Sequence, residues 1–281
     1  MKRRAYAKIN LSLDVLGRRQ DGYHELAMVM SPIDLYDLVD VEFADRPTFQ
    51  CNAHYLQVTD DNSVIKAIKI MKEKYNIRSE FAVALKKVIP SRAGLAGGSS
   101  DAAATIHLIN DLCHLHLTLE EMSEIALQIG KDVVFCLYEQ PALVQGTGEL
   151  IKPLENHCQF NLILVKPQQG VSTKEAYQQL DLATAKHYPP EPMIEALKTS
   201  DYQGMVKALG NTLEAVSIAQ LPVIQTIKDE LISLGFDGSL MSGSGSCVFG
   251  VTQNADLCES ATKLLRKKYP FVWMTKLKGS L

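Results

Sequence analysis

Pro90-Ser91-Arg92-Ala93-Gly94-Leu95-Ala96-Gly97-Gly98-Ser99-Ser100-Asp101, followed at once by Ala102-Ala103-Ala104-Thr105-Ile106-His107-Leu108-Ile109, is the stretch on which the rest of the chain is read. Three glycines within five positions leave the backbone free to take positive φ and bring its N–H groups close to a ligand. Ser99 and Ser100 are placed to cap the helix that starts there. Loop amides and the positive end of the helix dipole then point at one spot, which suits phosphate. The spacing is neither G-x-x-x-x-G-K-[ST], since no lysine follows the glycines, nor G-x-G-x-x-G. Taken alone the stretch also reads as a flexible loop before an ordinary helix, so other segments have to decide.

Working outward, a short strand over Ala82 to Ile89 delivers the chain into the loop, and a helix from Ser63 to about Tyr75 precedes it. At the amino terminus Ala5, Ala7, Ile9, Leu11, Leu13 and Val15 alternate with Tyr6, Lys8, Asn10, Ser12 and Asp14. That alternation predicts a half-buried strand with Lys8 and Asn10 side by side on its polar face, where a solvated surface is the plain alternative to a shared ligand. Asp21-Gly22 turns the chain into Tyr23-His24 and an apolar run from Leu26 to Leu35. Tyr23 and His24 at that mouth suit recognition of a planar heterocycle or are simple edge residues. More strand is expected over Leu38 to Phe43 and around Phe49.

Downstream, the helix after the glycine loop is expected to reach about Leu115. A second helix begins at Thr118-Leu119-Glu120-Glu121 and stops near Gly130. Asp132 follows, either the cap of a short buried helix or a carboxylate anchored near the phosphate loop. Gln145 to Glu149 reads as a turn, the pattern weakens near Pro153 to Cys158, and Asn161 to Val165 is a buried strand. Val171-Ser172-Thr173 caps a helix carrying Tyr177, and further helices lie around residues 193–197, 205–209, 213–216 and 223–234. A second glycine-serine loop, Gly238 to Gly250, leads into a strand, followed by a helix over Ala255 to Tyr269 and a strand over Phe271 to Thr275. The order is α+β.

With 281 residues, 46% hydrophobic and 22% charged, the chain is long enough for two modest domains, and a net charge of -3 argues against a surface that coats nucleic acid. The predicted partner is a small molecule, with no nucleic acid and no membrane. The six cysteines are scattered without a C-x-x-C pair, so the expected compartment is the reducing cytoplasm. His107, His114 and His116 read as surface or packing residues, not as a metal set.

Ala7-Lys8-Ile9-Asn10-Leu11, the Pro90–Ser100 loop with Asp101-Ala102-Ala103, Gly130 to Phe135, and Met241-Ser242-Gly243-Ser244-Gly245 resemble, in order, the successive motifs of the GHMP kinases. Lys8 to Val15, Asp21-Gly22-Tyr23-His24-Glu25 and Gly170-Val171-Ser172-Thr173 are similar to the branch that acts on a cytidine diphosphate-linked methylerythritol. The resemblance spans nearly the whole chain. It implies a two-domain fold, residues 1–156 forming an N-terminal α/β domain and 157–281 a C-terminal ferredoxin-like domain, with the active site between them.

The resemblance further implies ATP and Mg²⁺ as cofactors and Lys8 and Asp132 as the catalytic pair. Pro90, Ser91, Arg92, Ala93, Gly94, Leu95, Ala96, Gly97, Gly98, Ser99 and Ser100 would wrap the triphosphate. Asn10, Tyr23, His24, Thr173 and Tyr177 would line the cytidine side, and Gly243 to Ser246 would border the substrate end, Gly243 and Ser244 binding it, and brace the phosphate loop. Ser99, Ser100 or Asp101 would offer oxygen to Mg²⁺. Arg92, Lys131 and Val134 depart from the usual pattern, which has small residues at the first two positions and proline at the third. These departures keep open a kinase for another alcohol, such as mevalonate or a sugar, and an idle nucleotide-binding protein. The expected assembly is a monomer or a homodimer.

Overall fold

The amino-terminal alternation forms β1 (Lys2–Arg18), and a turn at Gly22 returns the chain into β2 (His24–Ala44). β1 is longer than expected and buried on both faces: Lys8, Asn10, Ser12 and Asp14 are as enclosed as the apolar residues between them. Burying a polar row is costly unless most of it is hydrogen-bonded, and among the described residues Ser12 Oγ is the member of this row without a partner. Asn10 Nδ2 accordingly meets Met28 Sδ at 3.3 Å, and Asp14 Oδ1 accepts from Thr212 Oγ1 at 3.0 Å. β2 is one strand where two were expected.

The structure, a computed structural model, describes residues 1–53 and 59–278. The chain continues through β3 (Thr48–Cys51), α1 (Ser63–Tyr75), β4 (Glu80–Lys86), α2 (Gly97–Leu112), α3 (Leu119–Ile129), α4 (Lys131–Tyr138), β5 (Ala142–Gly146), β6 (Leu150–Pro153) and β7 (Asn161–Lys166). There follow α5 (Thr173–Gln178), α6 (Glu191–Thr199), α7 (Tyr202–Ala208), β8 (Gly210–Asn211), α8 (Glu214–Gln220), α9 (Val223–Ser233), β9 (Gly238–Met241), β10 (Val248–Thr252), α10 (Ala255–Leu265) and β11 (Phe271–Lys276). Local signals set several boundaries. Asn62 caps α1 through Val64 N–H, Thr118 and Glu121 form a reciprocal capping box on α3, and Gly130 ends it. α2 stops at Leu112, short of Leu115, and α10 stops at Leu265, short of Tyr269.

Two compact units are each discontinuous in sequence. The first comprises Met1–Ala7, Leu35–Pro90 and Ala96–Glu139; the second comprises Lys8–Asp34, Ser91–Leu95 and Gln140–Leu281. In the first, β4 pairs antiparallel with Leu38–Ala44 of β2, β3 lies parallel to β4, and α2 packs against α1, α3 and α4. In the second, β5 pairs with Leu26–Met30 of β2, β6 pairs with β5, and the two-residue β8 lies parallel to Ser12 and Leu13 of β1.

The second unit also holds an antiparallel sheet of order β11–β7–β10–β9, with α9 against β9 and β10 and α10 against β7 and β11. With its first strand flanked by its fourth and third, this is the ferredoxin-like arrangement. No helix among the described residues is long and apolar enough to cross a membrane.

Candidate functional site

In the second unit the predicted residues converge on β1. Lys8 Nζ donates to Asn10 Oδ1 at 2.7 Å, and both side chains are buried, 4% and 1% exposed. The acceptor is a neutral amide. Lys8 N–H donates to Leu95 O at 3.1 Å, which fixes the lysine to the end of the glycine-loop segment.

The second glycine-serine loop, residues 242–247, holds that segment from the other side. Ser242 Oγ donates to Gly94 O at 3.0 Å and Cys247 N–H to Ala93 O at 3.2 Å. Gly94 has φ +72, and a Cβ there would lie 1.9 Å from Ser242 O, so only glycine fits. Gly243, at φ +57, is just as confined: its Cβ would lie 3.3 Å from Gly94 O and Lys8 Nζ and 3.5 Å from Asn10 Oδ1. Lys8, Asn10, Gly94 and Gly243 thus form one cluster. Of the expected brace, Gly243 lies against Gly94 O, while Ser244 Oγ meets Thr173 Oγ1 and Ser246 Oγ donates to Gln169 O at 2.6 Å.

Arg92 is exposed at φ +49, and Gly170 packs under it, where a Cβ would come within 2.8 Å of Arg92 Cβ. A non-glycine residue held left-handed costs about 1 kcal/mol and marks a segment fixed by its surroundings. On the proposed cytidine side the His24 and Tyr177 rings stack, with centroids 5.0 Å apart and planes 28° apart. Burial, with Arg18 adding, holds the His24 imidazole below its ordinary pKa. Tyr23 is 60% exposed beside it, and Thr173 Oγ1 and Ser244 Oγ share a hydrogen bond of 2.7 Å.

The first unit carries Pro90, Ala96 to Ser100 and Asp132. The expected serine cap is not what starts α2. Ala96 is the N-cap at φ 56, no side chain caps the first turn, and Gly97, Gly98, Ser99 and Ser100 are helical. Ser100 is drawn inward, its Oγ donating to Tyr6 O at 2.6 Å. The first-turn N–H groups of α2 are therefore not taken up by a side-chain cap. Asp132 lies in the first turn of α4 after the Gly130 cap, where the helix dipole favours its carboxylate, and Val134 is buried in that helix.

Asp101 is not a surface oxygen. Its Oδ2 accepts from Lys87 Nζ at 2.6 Å, and Lys87 also donates to Asp37 Oδ2. Burial, opposed by Lys87 and reinforced by Asp37, pushes the Asp101 pKa up to about 8. Among the described residues no group of three or more His, Cys, Asp or Glu side chains is placed to hold a metal ion.

Two contributors had no signal in the sequence. Asn211 Nδ2 donates to Met241 O at 2.9 Å and Gly243 O at 2.7 Å while its Oδ1 accepts from Leu213 N–H at 2.9 Å, so one buried amide shapes the second loop. Glu214 Oε1 accepts from Met241 N–H at 2.9 Å. Both lie beside a strand of two residues, below any periodicity threshold.

Residues 62–140 match the family described as GHMP kinases N terminal domain, and residues 193–270 match GHMP kinases C terminal. The chain belongs to the GHMP kinases, a family of ATP-dependent kinases. It is 41% identical over 277 residues to 4-diphosphocytidyl-2-C-methyl-D-erythritol kinase of Thermoanaerobacter pseudethanolicus, covering 98% of this chain and 96% of the relative. The Bacillus cytotoxicus enzyme of the same name is 44% identical over 253 residues, covering 89% and 88%. A solved structure of 4-(cytidine 5'-diphospho)-2C-methyl-D-erythritol kinase superposes with a TM-score of 0.85 at 31% identity, covering 100% of both chains.

Proposed function

We infer that the chain transfers the γ-phosphoryl group of ATP to the 2-hydroxyl of 4-diphosphocytidyl-2-C-methyl-D-erythritol, a step of non-mevalonate isoprenoid precursor synthesis. The observation that carries this reading is the Lys8 amine, buried against a neutral amide and bordered by Gly243, which itself lies against Gly94 O. A buried ammonium with a neutral acceptor is stabilised by an anion, and a triphosphate supplies one. The stacked His24 and Tyr177 rings give a flat surface suited to cytosine.

Phosphoryl transfer passes through a loose transition state, so positioning and charge neutralisation dominate. Lys8 would offset charge growing on the γ-phosphoryl oxygens. Asp132 would orient the acceptor hydroxyl and take its proton late, since a carboxylate is a weak base toward an alcohol. Pro90 to Ser100 would wrap the phosphates through backbone N–H groups, while Asn10, Tyr23, His24, Thr173, Tyr177, Gly243 and Ser244 would line the substrate. Mg²⁺ fits if it is held chiefly by the phosphates and water, with the hydroxyl oxygen of Ser99 as protein ligand, since Ser100 is turned inward onto Tyr6 O. Asp101 does not fit, because its carboxylate is turned into the pair with Lys87. When bound, the ion neutralises phosphate charge.

Residues 1–156 and 157–281 would be the two catalytic domains of a cytoplasmic enzyme, monomeric or homodimeric. Assay of purified protein with ATP, Mg²⁺ and a panel of alcohols tests the reading. ADP release should depend on the cytidine-linked alcohol, and Asp132→Ala should lower turnover at least about 1,000-fold with ATP binding retained. Preference for mevalonate or a sugar would overturn the substrate, and ATP binding without transfer to any alcohol would overturn the reaction.

A further inference from the structure

A buried ionic cluster flanks the glycine loop on both sides. Asp37 comes from β2, Lys87 follows β4 three residues before Pro90, and Asp101 lies on α2. Their side chains are 0%, 8% and 3% exposed. Lys87 Nζ donates to both carboxylates, while Asp37 Oδ1 accepts from Val88 N–H and, at 2.8 Å, from Ile89 N–H. The entry strand is therefore clamped by its backbone and the exit helix by its side chain. Gly97 completes the arrangement, because a Cβ there would lie 2.9 Å from Ile89 Cγ2 and 3.3 Å from Lys87 Nζ. The first turn of α2 rests directly on the amine.

Buried ion clusters are a poor source of stability, since apolar residues of similar volume do as well or better. This one also sets two acidic side chains against one amine, and Asp101 Oδ1 has no hydrogen-bond partner among the described residues. A costly cluster at the base of one loop fits a geometric task better than a structural one. The ion pair joins positions 87 and 101, and the loop lies between them.

We propose that Asp37, Lys87 and Asp101 form an ionic staple that closes the base of the Pro90–Ala96 loop and sets the affinity for the nucleotide triphosphate. They are positioning residues, acting through the backbone of the loop and the first turn of α2. The proposal rests on reading Pro90 to Ser100 as the triphosphate loop. A loop that binds through several amides at once loses affinity steeply when its two ends are free to part.

Asp101→Asn keeps an oxygen for Lys87 and removes the ionisable carboxyl group; Lys87→Met removes the amine; Lys87→Arg keeps a cation there. Steady-state kinetics and ATP calorimetry on the full chain read the effect. Asp101→Asn and Lys87→Met should raise the KM and Kd for ATP about tenfold, a shift of about 1.4 kcal/mol, with the KM for the alcohol within about twofold, and Lys87→Arg should recover most of the affinity. A merely structural role would lower active fraction without separating the two substrates. If Lys87→Met does not fold, hydrogen exchange in Asp101→Asn takes its place, and the hydrogen-bonded amides 88, 89 and 100 should exchange faster than in the wild type. Unchanged ATP affinity in folded Asp101→Asn, or equal weakening of both substrates, overturns the staple. A wild-type protein that binds no ATP overturns the triphosphate-loop reading itself, and the staple with it.

Discussion

Replacing Gly94 by alanine is the sharpest perturbation of the braced loop. The new Cβ would lie 1.9 Å from Ser242 O, where ordinary contact begins at 3.4 Å, so the 91–95 segment and the 242–247 loop must separate by about 1.5 Å. No rotamer relieves this, because both partners are backbone. The left-handed φ of +72 adds about 1 kcal/mol for a residue with a Cβ. The separation also strains the hydrogen bonds from Ser242 Oγ to Gly94 O and from Cys247 N–H to Ala93 O, together about 1–3 kcal/mol. The sum, about 2–4 kcal/mol, lowers the melting temperature by about 5–10 °C. Activity should fall further, since misplacement by about 1 Å costs about 100-fold in rate. Gly98→Ala is the matched control: its Cβ would lie 3.8 Å from Ser63 Oγ, in ordinary contact, and alanine favours the helix by about 0.5–1 kcal/mol. Gly98→Ala should melt no lower than wild type yet show a raised KM for ATP, because its methyl occupies the surface read as phosphate-facing. Steady-state kinetics with ATP and the cytidine-linked alcohol, paired with thermal melts, would refute the reasoning if Gly94→Ala kept kcat/KM within about threefold of wild type.

Asn211→Ala leaves Met241 O, Gly243 O and Leu213 N–H without their buried partner, and the expected loss of about 2–4 kcal/mol is checked by urea unfolding, with activity falling in parallel. His107 is held below its ordinary pKa by burial and then by Arg3, so below about pH 6.5 the unfolded chain binds the extra proton first and stability falls as pH falls. His107→Gln should flatten that slope between pH 7 and 5 in urea titrations; an unchanged slope refutes the assignment.

Elements closed by local chemistry were legible in the sequence. The Thr118–Glu121 capping box, the Gly130 stop and the Ser172 cap before Tyr177 all satisfy backbone groups from within a few residues, and all three are present. Elements that depend on distant partners were not. Tyr36 and Asp37 fall between the two expected runs, Leu26 to Leu35 and Leu38 to Phe43, of what is one strand. Asp37 is nevertheless fully buried in one continuous strand, because its neutralising amine is Lys87, 50 residues on. The same limit explains α2: serine preference at a helix start is a local rule, whereas Ser100 is held inside by Tyr6 O, 94 residues away.

The polar row of β1 shows how burial changes the weight of a motif. By alternation alone, Lys8, Asn10, Ser12 and Asp14 are a wet strand face, and nothing then distinguishes Lys8 from any surface lysine. Once both faces are covered, each polar group needs a partner that pattern cannot name. Asn10 finds Met28; Asp14 finds Thr212 and His187, the latter 173 residues away. Lys8 is the member whose acceptor in that unit is neutral, and it is also the one that touches the position of a Gly243 Cβ and, through its backbone, Leu95. A strand that neutralised every buried charge within its own unit would be scaffolding; this row leaves one ammonium beside two glycines held in left-handed conformation. The same residue type at the same spacing thus passes from surface decoration to the point at which the triphosphate reading can be tested, and the change comes from solvent exclusion, which a sequence pattern does not encode.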